Sequence, residues 1–193
     1  RVIPVVEWVA KHCDVAISVD TSTPAVMREA ALKGAHLIND VRALTRPGAV
    51  FTAAQLALPV CLMHMQGSPS TMQAKPAYQS VTVEVSSFLQ ERVTACLDAG
   101  LAPSKIWLDP GFGFGKTLEH NVELVRQLPD LVSLGFPLLV GFSRKSMVGQ
   151  MLGRPLAARL AGSLALAMMA LERGAMTVSY PIPTLPTLFL RSF

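Results

Sequence analysis

Short apolar, β-branched runs alternate along this chain with longer stretches of helical periodicity, the pattern of βα units carrying parallel strands. Strands are expected at 15–20 (VAISVD), 35–39 (AHLIN), 59–64 (PVCLMH), 105–109 (KIWLD), 137–142 (PLLVGF) and 175–179 (AMTVS). Their near-continuous apolarity predicts strands covered on both faces. Helices are expected at 23–33, 48–56, 80–99, 118–128, 145–152 and 155–173, and residues 1–12 already show helical periodicity. Gly34, Gly100 and Gly174 stand where a helix C-terminal glycine belongs. Nearly every strand ends in a polar residue: Asp20, Asn39 with Asp40, His64, Asp109 and Ser143. A doubly wound sheet gathers ligand groups near one switch point. A (β/α) barrel brings all its strand tips to one mouth, so polar tips on successive strands favour a barrel.

Composition narrows the function. The chain has 193 residues, 51% of them apolar and 16% charged, too apolar and too weakly charged for disorder. A membrane span needs about 20 unbroken apolar residues. The best stretch, 174–190, is cut by Pro181, Pro183 and Pro186, so no span is expected. The formal net charge of +4 comes from scattered basic residues without a basic run, a pattern that suits an anionic small molecule as well as nucleic acid. Cys13, Cys61 and Cys96 are odd in number and lack CxxC spacing, which argues against a disulfide scaffold or a zinc site and for a reducing cytosol.

Residues 109–117 (DPGFGFGKT) form the most distinctive segment. Pro110 stands where a phosphate-cradling P-loop needs glycine, and Lys116 takes the place of the third glycine of a dinucleotide fingerprint. Two readings remain. In one, a strand-end carboxylate precedes glycines that let backbone approach a flat ligand, with Phe112 and Phe114 stacking on it. In the other, Asp109 caps a helix beside a flexible turn. Asp20 and Asn39-Asp40 have similar pairs of readings, with Thr21 or Ser22 as an N-cap and an Asx turn as the plain alternatives. At 143–146 (SRKS), a helix starting near Lys145 would aim free N–H groups at the mouth, with Ser143 as a simple N-cap otherwise. His64, between Met63 and Met65, reads as a packed strand-end histidine, and Met168 and Met169 read as core.

At these residues the chain becomes recognisable. ISVDTS (17–22), GAHLINDV (34–41), PVCLMHMQG (59–67), LDPGFGFGK (108–116) and LLVGFSRKSMVG (138–149) closely resemble the dihydropteroate synthase family of bacterial folate biosynthesis. The resemblance runs collinearly from residue 1 to about 175. It implies a TIM (β/α)8 barrel, usually homodimeric and cytoplasmic. The family joins p-aminobenzoate to 6-hydroxymethyl-7,8-dihydropterin pyrophosphate with Mg2+, releases pyrophosphate, and is the target of sulfonamides. Carried over position by position, Asp20, Asn39, Asp109 and Lys145 match the polar, catalytic contacts to the pterin. Met63, Gly113, Phe114 and Gly141 match its pocket walls. Phe114 and Ser143 match the p-aminobenzoate site. No position here matches a metal ligand.

The departures from the family pattern are equally specific. Two further strands, whose loops carry the family's metal ligand, and a regular last βα unit with an Arg-x-His anion site have no counterpart in this sequence. Residues 1–175 are therefore read as a partial barrel domain. Residues 176–193 (MTVSYPIPTLPTLFLRSF) are read as a proline-rich tail foreign to the fold, as a shifted reading frame would produce. Two further readings stay open: a non-catalytic pterin-binding fragment, and a pterin-binding methyltransferase domain, against which the Ser143-Arg144-Lys145 and GFGFGK segments argue.

Overall fold

The computed structural model describes residues 2–68, 71–72 and 74–179. The chain divides into two compact units, Arg1–His64 with Phe88–Leu108, and Met65–Ser87 with Asp109–Phe193. The expected tail falls largely on residues 180–193, which lie outside the described residues.

The first unit alternates helices and strands as the apolar pattern requires: α1 (Val2–His12), β1 (Ser18–Asp20), α2 (Pro24–Leu32), β2 (Leu37–Asp40), α3 (Ala49–Leu56) and β3 (Val60–Met63). The second half of α4 (Val81–Asp98) and the strand β4 (Ile106–Asp109) complete it. The sheet order is β1-β2-β3-β4. β1 and β2 pair in parallel with Asp20 level with Asn39, and β2 and β3 pair in parallel with Asp40 level with Leu62. Every residue of β3 is buried, as its unbroken apolarity predicts. Ile38, Leu62, Leu89, Ile106 and Leu108 are all fully buried, and Val6, Val19, Ala30 and Ala35 form a smaller cluster under α1.

The second unit holds α5 (Leu118–Arg126), α6 (Leu128–Val132), β5 (Leu139–Gly141), α7 (Ser146–Leu152), α8 (Leu160–Glu172) and β6 (Thr177–Ser179). β5 and β6 pair in parallel, Leu139 opposite Thr177. Phe112 and Phe142 pack at 4.6 Å between ring centroids and are both fully buried.

Several local expectations are corrected. The helix expected over 118–128 ends at Arg126, and a separate short helix follows with Pro129 in its first turn, where a missing N–H is harmless. The helix expected over 155–173 begins only at Leu160, after a 3-10 turn at Leu156–Ala158. Neither Thr21 nor Ser22 caps α2: the N-cap is Thr23, its side chain makes no cap bond, and Pro24 follows it. Met168 and Met169 are not core but 57% and 38% exposed. α8 is apolar nearly all round, so periodicity does not mark which face is buried, and Ser163, Leu166, Ala167 and Ala170 take the interior.

The C-terminal glycines are as expected, with φ of +101° at Gly34, +89° at Gly100 and +96° at Gly174. At Gly34 a Cβ would also stand 2.8 Å from the Ala10 Cβ on α1. Gly34→Ala is therefore expected to cost about 1–3 kcal/mol, from left-handed strain plus the displaced α1 contact. A urea midpoint lowered with an unchanged slope checks this.

Candidate functional site

In the first unit, parallel register sets the tips of β1 and β2 side by side. Asn39 Nδ2 donates to Asp20 Oδ2 at 3.5 Å, and Thr21 N donates to the Asn39 carbonyl at 2.9 Å. Asn39 Oδ1 is buried without a hydrogen-bond partner among the described residues. The Asp20 carboxyl is pushed above its ordinary pKa, first by loss of water around it and second by the nearby Asp40 carboxylate, while the Asn39 contact works the other way.

Asp40 itself is spent on structure. It is fully buried, and Oδ1 accepts from the Ser22 hydroxyl and from Arg42 N at 2.9 Å, while Oδ2 accepts from Leu44 N at 2.9 Å. The bond to the amide two residues on is the Asx turn that the sequence allowed. Met63 ends β3 buried, and the following His64 is 6% exposed, edge-on to Phe88 at 5.1 Å, packed as expected.

In the second unit, Asp109 leads into the glycine-rich loop. It is 8% exposed, and Oδ1 accepts from Gly111 N at 2.7 Å, again the turn-forming reading of a strand-end carboxylate. The loop carbonyls are tied by side chains. Lys116 Nζ donates to Gly111 O at 3.0 Å and Phe114 O at 3.1 Å, Lys145 Nζ to Phe112 O at 2.5 Å, and Tyr78 Oη to Gly115 O at 2.8 Å. Asn121 Oδ1 accepts from Gly113 N at 2.7 Å. Lys145 Nζ also lies 5.0 Å from the centre of the Phe114 ring. Phe112 is core and carries no ligand-stacking surface; of the two phenylalanines only Phe114 keeps solvent contact.

The Ser143–Lys145 segment is a turn that leads directly into a helix, which starts near Lys145 as expected. α7 begins at Ser146, and its N-cap is Lys145, whose side chain makes no cap bond, rather than Ser143. Arg144 has φ +50°, and its N–H donates to Ser163 Oγ at 3.0 Å. Ser163 in turn donates to Arg159 O at 2.7 Å, and Arg159 Nη1 donates to the carbonyls of Arg144 and Lys145 at 3.1 and 3.4 Å. Gly141 ends β5 on the strand before this turn.

Burial pulls both lysines down. Lys116 falls from 10.5 to about 7, chiefly by loss of water, with Asp109 opposing and Lys145 reinforcing the shift. Lys145 is lowered for the same first reason and is likewise supported by Asp109.

A family model for pterin binding enzymes matches residues 1–179. The chain belongs to that family. Dihydropteroate synthase of Escherichia coli (strain K12) is 54% identical over 175 residues, covering 91% of this chain and 62% of that protein. This chain thus spans less than two thirds of that relative's length. Among solved structures, Yersinia pestis dihydropteroate synthase with a sulfonamide drug complex superposes with TM-score 0.90 at 51% identity, over 93% of this chain and 66% of that one. The Xanthomonas albilineans enzyme in complex with 7,8-dihydropteroate gives 0.87 at 44% identity, over 93% and 66%. The fold class is therefore that of these TIM-barrel enzymes, as the strand tips and the motifs led us to expect.

The family motifs bring Asp20 together with Asn39, and Lys145 together with Gly113 and Phe114, as expected. Sequence reasoning passed over Lys116, Asn121, Tyr78, Arg159 and Ser163. Only Lys116 carried a signal, because a lysine inside an otherwise apolar, glycine-rich segment has few ways to be solvated.

Two outcomes are expected. Asp40→Ala strands the Ser22 hydroxyl and two amides, and is expected to cost about 3–5 kcal/mol, read by urea denaturation. The second concerns pH. With Lys116 lowered to about 7 in the fold and ordinary when unfolded, the unfolded chain holds more protons above pH 7, so this group makes stability rise with pH. Burial of Tyr78 and Cys96 raises their pKa values and opposes the trend once they titrate in the unfolded chain. Between about pH 7 and 8.5 the urea midpoint of the unmodified chain is therefore expected to rise relative to that of Lys116→Met, and a parallel course in the two proteins would contradict this.

Proposed function

We propose that this chain supplies the pterin pocket of a dihydropteroate synthase. The reaction joins p-aminobenzoate to 6-hydroxymethyl-7,8-dihydropterin pyrophosphate, with pyrophosphate as leaving group. The observation that carries the reading is Asn39 Oδ1, a buried acceptor with no donor among the described residues, on the same amide that contacts Asp20. A buried polar atom of this kind is costly unless a ligand donor meets it, and a pterin ring edge is rich in N–H donors.

The roles are those of the family positions these residues match, and the chemistry of each side chain suits its role. Asp109 accepts from the ring's amidine-like N–H and NH2 pair, a charge-assisted, two-point contact. Asn39 accepts one ring donor and offers one of its own. Lys145 donates to a ring acceptor, while Met63, Gly113, Phe114 and Gly141 form the walls. Asp20 faces the ring nitrogen conjugated to the exocyclic methylene. As the C–O bond to pyrophosphate breaks and its electron pair leaves with the diphosphate, positive charge develops there, and the carboxylate stabilises it. The p-aminobenzoate amine then forms the C–N bond and releases its proton. Phe114 supports the aminobenzoate ring, and Ser143 with its adjoining amides receives the carboxylate.

Mg2+ belongs to this reading through the resemblance. Among the described residues no three His, Cys, Asp or Glu side chains gather, and both oxygens of Asp40 already accept protein donors. These residues do not fit a magnesium site, and no step is drawn through the ion. The same reading makes 1–175 the pterin-binding unit and puts the protein in the cytosol as a homodimer, with small molecules rather than nucleic acid or a membrane as its ligands. Among the described residues no helix is long and apolar enough to cross a membrane. A binding-only reading draws on the same pocket residues.

Incubating the chain with both substrates and Mg2+ separates these readings: dihydropteroate formation supports the transferase, and pterin binding without turnover supports the binding-only protein. In either case Asp109→Asn is expected to weaken pterin binding about 10–100-fold, the loss of a charge-assisted hydrogen bond, with folding intact by circular dichroism. Unchanged affinity would refute the pterin assignment of Asp109.

A further inference from the structure

Lys116 is the buried charge for which the proposed reaction has no use. It is 4% exposed, and its ammonium donates to two carbonyls of the loop, Gly111 O and Phe114 O, at 3.0 and 3.1 Å. Gly111 is the pivot. Its carbonyl is held by Lys116 and its N–H holds Asp109 Oδ1 at 2.7 Å, so one residue with φ +68° links the two side chains. The Gly111 carbonyl and N–H belong to successive peptide planes that meet at its Cα, so a displaced carbonyl reaches the amide, and the carboxylate it holds, through the φ and ψ of this residue. A hydrophobic residue of the same length would leave Phe114 O without this donor and Gly111 O with only the Phe114 N–H at 3.0 Å, and that loss selects a donor here. The charge adds a second effect, because Asp109 and Lys116 interact electrostatically.

We infer that Lys116 is a positioning residue of the pterin pocket, which fixes the Asp109 carboxylate through the Gly111 peptide. The inference rests on the pterin reading of Asp109. It differs from a purely structural role in one respect: the effect of removing Lys116 must pass through Asp109. A lysine that only stabilised the fold would change affinity equally whether or not Asp109 were intact.

The test is a double-mutant cycle with 6-hydroxymethylpterin as the probe, binding followed by its fluorescence and normalised to folded protein. Lys116→Met is expected to weaken binding about tenfold in the native background and less than twofold in an Asp109→Asn background. An equal loss in both backgrounds, or none in the native one, would overturn the inference while leaving the pterin reading standing. No pterin binding by the unmodified chain would instead overturn that reading and the inference with it. Should Lys116→Met not fold, Lys116→Gln, which keeps a donor for one carbonyl, is expected to give a smaller loss with the same dependence on Asp109. Additivity there overturns the inference in the same way.

Discussion

A glycine-rich loop without ladder partners has to satisfy its backbone some other way, and the rest of the second unit is organised around that need. Between Gly111 and Gly115 the carbonyls of residues 111, 112, 114 and 115 each accept a side-chain donor, from Lys116, Lys145, Lys116 and Tyr78. Asn121 closes the opposite side by accepting from Gly113 N and donating to Thr117 O at 2.6 Å. Buried backbone groups are nearly always paired, so a loop of this kind is only as rigid as the side chains that reach it. Two of those donors are ammonium groups, and both are bought at the cost of desolvation that lowers their pKa values.

The balance of charge explains why Asp109 sits where it does. It is the negative neighbour of both lysines, raising the pKa of each against the larger effect of burial. In the first unit the comparable carboxylate, Asp40, is held by a hydroxyl and two amides with no ammonium bonded to it. Neutral donors suffice there because Asp40 serves the turn that follows β2. Asp109 has a turn to serve as well, through Gly111 N, and it also supports the charge of the two lysines that hold the loop carbonyls. Two carboxylates at strand ends, alike in sequence, are thus put to different uses by what donates to them.

That difference marks the limit of what the sequence made legible. The alternation of apolar runs located six strands to within a few residues, because the interior of a parallel sheet tolerates few polar side chains. The tips Asp20, Asn39 and Asp109 were visible as polar residues ending apolar runs, and the motifs around them named the family. Strand ends were less clear: β1 starts at Ser18, three residues later than the apolar run, since Val15 is 52% exposed and outside the ladder. The choice between ligand group and turn former could not be read locally, since Asp40 and Asp109 both bond the amide two residues on. Phe112 and Phe114 occupy equivalent places in a repeating Gly-Phe pattern, yet one is core and the other keeps solvent contact. Partners such as Asn121 and Tyr78 come from segments whose own periodicity is that of an ordinary helix and an ordinary loop.

The Ser143–Lys145 turn shows the same economy at longer range. Arg144 at φ +50° is a non-glycine in a left-handed conformation, a state that persists only where surroundings over-determine it. Three hydrogen bonds from the segment 159–163 do so, two from the Arg159 guanidinium to the turn's carbonyls and one from the Arg144 amide to Ser163. The guanidinium reaches those carbonyls by crossing Gly149, where a Cβ would stand 2.4 Å from Arg159 Cζ. Glycine inside α7 weakens that helix, but a larger residue would close the path. The result is that Lys145, which must reach Phe112 O, projects from a turn fixed at both of its carbonyls.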